Sequence, residues 1–315
     1  MLHLICDSVY SENSTIPGMI PGMDQVELLT GYSRISKYPL DRVGSVHLPY
    51  ATDWYGIWSG DREMTDDVDD FSVPYLYYGA NREEIISNIT TSIKVAEPLH
   101  PHYGVFHACN ANFDDLAPGK HRDRDTDVMR ALVEILNQVA SSLGGEMPFE
   151  LALENLWWPG FRMLDPSGYR FLEEHLEFDN WAICLDTGHL LVALGGSDSE
   201  SGSIEMLNHV ADSYPKDMLD RIHAMHLHDN TSKSFIDSFQ LPDGFYNLGH
   251  IGRYSAAYRF ICGMDQHRPF TDPSIVDYVE RISPMYVNHE MGAVAPMERV
   301  SDYMIQRSLF KKDYI

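Results

Sequence analysis

The sequence has no long apolar run, and this absence limits where the protein can act. No stretch approaches the roughly 18 continuous apolar residues that a helix needs to cross a bilayer. The first apolar segment, MLHLIC, is followed at once by Asp7, so it is too short for the apolar core of a signal peptide. We therefore expect a soluble, cytoplasmic protein with no membrane partner.

Cysteine is scarce, and its spacing excludes two common uses. The four cysteines, Cys6, Cys109, Cys184 and Cys262, are far apart and form no CxxC pair. A disulfide framework and a zinc site built from CxxC thiolates are both excluded. Cys6 and Cys184 lie within apolar runs, which is typical of free, buried thiols in a reducing compartment.

Lysine is also rare, and the charge balance is strongly negative. The chain has 23 Lys and Arg against 47 Asp and Glu, a formal net charge of −24. Proteins that bind nucleic acid neutralise its phosphates with Lys and Arg. The one basic cluster here, KHRDR at 120–124, also contains an acid. We therefore do not expect nucleic acid as a partner, and interpret the acidic residues as a solvated surface.

The chain lacks repeats, low-complexity tracts and linkers, so we expect residues 1–315 to form a single domain. Short apolar segments alternate with helical patterns, as in βα units around a parallel sheet. No GxGxxG follows the first strand, which argues against a doubly wound sheet. The α/β fold predicted is therefore a (β/α)8 TIM barrel. Its eight strand candidates are residues 2–6, 25–29, 43–47, 103–107, 149–154, 181–186, 222–228 and 285–290.

Between these strands, apolar residues at helical spacing predict helices over 81–95, 126–143 and 274–282. The segment 51–80 is too long for a simple βα loop and is rich in Trp, Tyr and Asp. We expect it to form an extended loop over the site or part of a homo-oligomer interface. The C-terminal YMIQRSLF is a second candidate for such an interface.

Six consecutive strand candidates end in a residue able to bind a divalent metal. In a TIM barrel these ends meet at one rim. Clustered carboxylates repel each other and raise one another's pKa, and a divalent cation allows all of them to stay ionised. Imidazole and carboxylate without thiolate favour Zn, Mn, Fe or Co over Ca²⁺ or Cu⁺, and we expect one or two ions per chain. The residues are His47, His107, Glu154, Asp186 (followed by His189), His226 and Glu290.

The motifs around these donors resemble a known superfamily. The run VHLPY, VFHA, LENL, CLDTGH, MHLHDN and NHEM is similar to that of endonuclease IV and the xylose isomerase-like sugar isomerases and epimerases. Motif order and spacing match across roughly residues 43–292. CLDTGH and MHLHDN are the most specific of these motifs.

The resemblance implies a metal held by four residues that match the ligands of the sugar epimerases, Glu154, Asp186, His226 and Glu290. It implies a second metal if the chain resembles endonuclease IV, held by Glu154 with His47 and His107. His189 matches a residue that contacts substrate in the epimerases and a further metal in endonuclease IV.

The third metal of endonuclease IV uses an Asp-x-His pair before a Leu-Gly turn. The stretch DGFYNLGH has Asp243 in place but Phe245 where the His is needed. We therefore expect no third metal, unless His228 or His250 substitutes. His228 is itself a departure, since endonuclease IV has Asn there.

Two reaction classes fit these residues. In an isomerase or epimerase, the metal would chelate the carbonyl and hydroxyl of a small carbohydrate and favour an enediolate. Glu154 and Glu290 would carry protons as well as bind metal, and His189 would hold a substrate oxygen. In an endonuclease IV-like hydrolase, two or three metals would activate water against a phosphodiester.

The acidic charge and the interrupted Asp-x-His favour the carbohydrate isomerase or epimerase over the hydrolase. A barrel that only binds sugar or metal is a third alternative, although such a protein would not need both glutamates. Three further residues have expected roles: Trp157 in the pocket floor, Lys233 on a substrate phosphate or hydroxyl, and Asp229 orienting a metal ligand from behind.

Overall fold

The barrel is closed by eight parallel strands in sequential order, each hydrogen-bonded to its neighbours and β8 to β1. The computed structural model describes residues 1–8, 20, 24–33, 38–63, 68–112, 115–116 and 118–310. The predicted TIM barrel is confirmed, and every strand candidate forms a strand. The strands are β1 (Leu2–Ser8), β2 (Gln25–Leu29), β3 (Val43–His47), β4 (Tyr103–His107), β5 (Glu150–Glu154), β6 (Trp181–Asp186), β7 (Ile222–His226) and β8 (Tyr286–His289).

Helices surround the barrel and cover the outer faces of the strands. The three helices predicted from apolar spacing are confirmed within one residue at each end, as α3, α4 and α11 below. The described α-helices are α1 (Trp54–Ser59), α2 (Val73–Tyr77), α3 (Arg82–Ala96), α4 (Asp125–Ser142), α5 (Ser167–His175), α6 (Thr187–Ala193), α7 (Glu200–Ala211), α8 (Lys216–Leu219), α9 (Lys233–Asp237), α10 (His250–Met264), α11 (Ile275–Ile282) and α12 (Pro296–Arg307). Among the described residues, no helix is both long and apolar enough to cross a membrane.

Side chains along each strand point alternately into the barrel interior and outward to the helix layer. All six residues of β6 are buried, as expected of a parallel strand covered on both faces. Cys184 lies two residues before Asp186 and so points to the same, inner side. It packs there with Leu4, Tyr103, Val105, Ala152 and Ala224. This small apolar layer forms the floor below the strand-end donors.

The segment 51–80 differs from the loop we expected, because it contains α1 and α2 and packs against the helix layer. The indole nitrogen of Trp54 donates to the backbone oxygen of Cys109 at 3.0 Å, and that of Trp58 donates to Glu134 on α4 at 3.2 Å. Both rings are buried. Trp54 and Trp58 therefore do not lie over the site as we expected; among the described residues of the segment, only Ala51 and Thr52 line the cavity described below.

Two buried histidines lie between the barrel and α12. The amide nitrogen of Gln306 is 2.7 Å from His289 Nδ1, and His289 Nε2 is 2.9 Å from His3 Nδ1. Because the amide nitrogen can only donate, His289 Nε2 carries a hydrogen and donates it to His3. Burial, together with the charge of Arg307, lowers the pKa of His3 to about 3 and also lowers that of His289. Both rings are therefore neutral in the folded protein at neutral pH.

Replacing His3 by Leu is expected to make stability less sensitive to acid. The pKa of His3 falls from 6.5 to about 3 on folding, so the unfolded chain takes up a proton first as the pH drops. The stabilising effect is complete above pH 6.5 and is lost towards pH 3, at up to about 1.4 kcal/mol per pH unit. Urea unfolding of the wild type and His3→Leu at several pH values should show a shallower slope for the variant. His209→Gln on the exposed face of α7 is the control; equal slopes for all three proteins would contradict the prediction.

Candidate metal centre

The first group of donors joins β3, β4 and β5. Glu154 Oε2 lies 3.5 Å from His47 Nε2 and 3.0 Å from His107 Nε2. His47 Nδ1 is 2.9 Å from the backbone oxygen of Leu48, which can only accept a hydrogen bond. Nδ1 of His47 therefore donates to this oxygen, and Nε2 is directed towards Glu154.

The second group joins β5, β6, β7 and the residue after β8. His226 Nδ1 lies 2.8 Å from Glu154 Oε1, 2.9 Å from Glu290 Oε2 and 3.6 Å from Asp186 Oδ2. One donor atom from each of the four residues lies within 4.8 Å of all the others. Since Glu154 uses Oε1 here and Oε2 in the first group, its carboxylate bridges the two.

A third group contains two residues that the sequence analysis missed, Asp265 and His267. Asp265 Oδ2 lies 3.2 Å from His189 Nε2 and 2.8 Å from His267 Nε2. The Nδ1 atoms of the two rings lie 3.0 Å from the backbone oxygen of Asn155 and 3.1 Å from that of Glu290. Both Nδ1 atoms therefore donate to backbone oxygens, and both Nε2 atoms face the same carboxylate.

The third group corrects the expectation that an Asp-x-His pair is lacking. Asp265-Gln266-His267 has that spacing, but it follows α10. Asp243, matched from the Leu-Gly turn, is exposed and belongs to none of the donor groups found among the described residues. Phe245 is buried in an apolar cluster instead.

Asn230, from the HDN motif after β7, holds this missed pair in place. Its amide nitrogen donates to Asp265 Oδ1 at 2.9 Å, and its amide oxygen accepts from the backbone N–H of His267 at 3.2 Å. A backbone N–H of the intervening Gln266 donates to the same oxygen. Asn230 thus fixes both the side chain and the backbone of the Asp-x-His turn.

Two properties of the donor atoms fit a divalent metal: the short distances between them, and the lack of hydrogen bonds to several of them. Both carboxylate oxygens of Glu154 and both ring nitrogens of His226 are buried, yet their close approaches lack hydrogen-bond geometry. Buried polar atoms left in this state cost free energy, which a shared cation would offset. Two other combinations satisfy the same distance limit, Glu154–Cys184–His226 and His228–His267–Glu290, and both reuse members of the three groups.

Electrostatics keep the carboxylates of the centre ionised. Burial alone would raise the pKa of Glu154, but His226 and His107 hold it well below its usual range. The same opposition of burial and histidine charge lowers the pKa of Glu290 to about 2. Conversely, Asp186 and Asp265 outweigh burial and raise the pKa of His189 well above its usual value. The site is therefore a set of anionic oxygens, as metal binding requires.

The local structure of CLDTGH explains why Asp186 and His189 are adjacent at the end of β6. Asp186 caps α6, because its Oδ1 accepts from the backbone N–H of His189 at 2.6 Å, while its Oδ2 faces His226. Gly188 is required by a close approach, since a Cβ there would lie 1.9 Å from Cε1 of His228. His228 Nε2 lies 3.1 Å from Asp186 Oδ2, and its ring stacks on His267 at 4.0 Å. His228 therefore contacts Asp186 of the second group and His267 of the third group.

Glu27 is another buried carboxylate of the centre that the sequence analysis missed. It lies on β2 and is fully buried. Its Oε2 accepts from the hydroxyl of Ser45 at 2.8 Å, and its Oε1 accepts from the amide of Asn288 at 3.0 Å. Oε1 is also 3.0 Å from Nε2 of His226, the nitrogen that faces away from the second group.

Seven of the nine donor residues, all except Asp186 and His226, line one cavity of about 420 Å³ at the carboxyl ends of the strands. Trp157 borders it with its ring 5.3 Å from that of His189, and Tyr50 stacks on His107 at 4.8 Å. Lys233 does not line this cavity; it is exposed on α9, where it pairs with Asp237 at 2.8 Å. Asp229 does not line it either, because its side chain faces Ser203 on α7. The structure gives neither residue the contact that we expected.

Comparison with known proteins identifies the family. Residues 78–285 match the model of the xylose isomerase-like TIM barrels, and since this is more than half of the chain, the protein belongs to that family. The resemblance inferred from the motifs is thereby confirmed.

Solved structures with the same fold have different activities. The chain is similar to endonuclease IV from Thermus thermophilus (TM-score 0.53, 13% identity, 98% of each chain covered). It is equally similar to an L-ribulose 3-epimerase (TM-score 0.53, 13% identity, 98% of this chain and 93% of that chain covered). At these identities the likeness shows the fold alone. A comparison with curated proteins finds no match.

Proposed function

We propose that the protein is a metal-dependent phosphoester hydrolase with a three-metal centre. The observation that carries the proposal is the set of nine donor residues, arranged as groups of three, four and three with Glu154 shared by two of them. The preference for an isomerase rested on the acidic charge and on a missing Asp-x-His pair, and Asp265 and His267 supply that pair. Polynuclear centres suit phosphoester hydrolysis because both the attacking and the leaving oxygen need charge stabilisation.

Each donor group would hold one divalent ion. Such ions would lower the pKa of bound water and stabilise the charge that develops on the phosphoryl oxygens. The chain itself orients the donors: backbone oxygens fix the protonated nitrogen of His47, His189 and His267. Trp157 and Tyr50 border the cavity with apolar surface, which limits access of bulk water.

A sugar isomerase or epimerase is the second candidate. It needs only the second donor group, with Glu154 and Glu290 as proton carriers and His189 on the substrate. The net charge of −24 favours this reaction over any hydrolase that acts on nucleic acid. It leaves four donors, His47, His107, Asp265 and His267, without a role in metal binding.

Metal content and turnover together test the proposal. Chelator-treated protein would be reloaded separately with Zn²⁺ and Mn²⁺, dialysed and measured by elemental analysis, then assayed with phosphate esters and, by NMR, with ketohexoses. We expect three ions per chain and phosphoester hydrolysis. The double variant Asp265→Asn/His267→Asn should lose one ion, and His209→Gln should lose none. A single tightly bound ion with epimerised ketohexose would replace the hydrolase by the second candidate.

A further inference from the structure

Helix α10 closes one side of the cavity and leads directly into the third donor group. Its buried residues Ala256, Ala257 and Met264 pack in one apolar cluster with Trp157 and Trp158, whose rings stack at 4.2 Å. Other residues of the helix face the cavity, and these are Tyr254, Tyr258, Ile261 and Cys262. The segment that ends in Asp265 is therefore both a wall of the cavity and a support for the metal centre.

The cavity has the size of a small molecule. Its volume of about 420 Å³ lies at the lower end of the range of roughly 300–1,000 Å³ typical of small-molecule sites. Tyr50 on one side and Tyr258 on α10 give it aromatic borders on which a sugar or a base can pack. A nucleotide or a sugar phosphate fits these dimensions.

The charge distribution favours one phosphate group over a chain of them. The four carboxylates of the donor groups and Glu27, balanced against three divalent ions, would leave one formal positive charge at the centre. Arg299 is the only Lys or Arg among the described residues that line the cavity, and it adds a second. Affinity for nucleic acid grows with the number of phosphates that Lys and Arg neutralise. A polyanion gains little from a single arginine and is repelled by the net charge of −24.

We propose that the substrate is a small phosphate ester whose phosphoryl group binds between the donor groups and Arg299, with its organic part against Tyr50 and Tyr258. This inference rests on the proposed hydrolase function. In the reaction a water oxygen forms a new bond to phosphorus as the bond from phosphorus to the ester oxygen breaks. One proton of the water passes to the leaving oxygen and the other to solvent, which gives an alcohol together with free phosphate from a monoester or a phosphomonoester from a diester.

A comparison of substrates separates this inference from the proposed function. Metal-loaded protein would be assayed with 4-nitrophenyl phosphate, bis(4-nitrophenyl) phosphate and a duplex oligonucleotide that contains an abasic-site analogue, at moderate salt. We expect hydrolysis of at least one small ester, with neither binding nor cleavage of the duplex. Efficient cleavage of the duplex would overturn the inference and retain the hydrolase. No hydrolysis of any of the three by protein with three bound ions would overturn both.

Replacing Arg299 by Gln tests the binding of the phosphate group. We expect the KM for the hydrolysed ester and the inhibition constant of inorganic phosphate each to rise about tenfold, as for a lost charge-assisted hydrogen bond. kcat and metal content should change little, and Arg299→Lys should recover most of the phosphate affinity. Because Arg299 also donates to the backbone oxygen of Ala293 at 3.0 Å, the thermal midpoint of each variant is measured alongside. Arg130→Gln, exposed on α4, is the matched control. Unchanged phosphate inhibition in a folded Arg299→Gln variant would remove Arg299 from the site.

Discussion

Glu154→Gln is expected to remove two of the three ions from the centre and to reduce turnover by about a thousandfold or more. The two oxygens of Glu154 face different donor groups, Oε2 towards His107 and Oε1 towards His226. Glutamine keeps the shape of the side chain but has only one oxygen and no charge. An ion at such a position stabilises the transition state by several kcal/mol, and each 1.4 kcal/mol lost costs about tenfold in rate. Elemental analysis and kcat with a phosphate ester measure the two effects.

The matched control for Glu154→Gln lies on the same strand. Glu150 begins β5, at the opposite end of the barrel, and pairs with His223 at 2.8 Å away from the metal centre. Glu150→Gln should keep the metal content and the turnover of the wild type. If Glu154→Gln kept three ions, or if both variants lost activity equally, Glu154 could not be the residue that joins the first two groups.

The barrel could be predicted from sequence because its strands are buried on both faces. Such strands appear as short, nearly continuous apolar runs, and β6, WAICLD, is an example. Donors at strand ends could be predicted for the same reason, since the ends of parallel strands in a barrel meet at one rim. Strand register alone brings two pairs of donors together, since His107 lies opposite Glu154 and Asp186 lies opposite His226 in the ladder.

Asp265 and His267 could not be placed in this way because they follow a helix. Their position depends on the hydrogen bonds of Asn230, a contact across 35 residues that no local pattern contains. The spacing of the Asp-x-His pair was present in MDQHRPF and was a usable signal. The Leu-Gly turn favours Asp243 instead, because the length of the segment that carries α10 cannot be known from sequence.

The expected roles of Lys233 and Asp229 depended on which way a loop turns, which the sequence does not determine. Both follow the donor-bearing end of β7 within a few residues, and proximity in sequence suggested proximity to substrate. In the structure α9 is exposed and directs Lys233 to solvent. The backbones of Asp229 and Arg268 form a β-bridge, and the side chain of Asp229 faces α7. Side-chain direction beyond a strand end is a property of tertiary packing.

Glu27→Ala is expected to weaken metal binding at the second donor group by about 10- to 100-fold, the usual effect of removing the partner of a metal-binding histidine. Glu27 Oε1 lies 3.0 Å from Nε2 of His226, so its negative charge favours a proton on this nitrogen and leaves Nδ1 free to offer a lone pair. Without the carboxylate, the tautomer of His226 with its proton on Nε2 is no longer stabilised over the other tautomer. Glu27→Gln retains an oxygen at this position and should keep most of the affinity. Titration against a chelator measures the affinity, and ¹⁵N NMR of the metal-free protein identifies the tautomer.

Glu27→Ala could weaken metal binding by destabilising the fold or by changing the tautomer of His226, and Ser45→Ala is the control that separates the two causes. Glu27 also accepts from Ser45 and Asn288, so Glu27→Ala leaves buried donors unpaired, at roughly 1–3 kcal/mol each. Ser45→Ala removes a partner of the same carboxylate but leaves the contact with His226 intact. We therefore expect Ser45→Ala to lower the free energy of unfolding, measured in urea, without weakening metal binding. Equal losses of metal affinity in Ser45→Ala and Glu27→Ala would mean that Glu27 acts through packing of the barrel interior, whereas a loss confined to Glu27→Ala ties metal affinity to the proton on His226 Nε2.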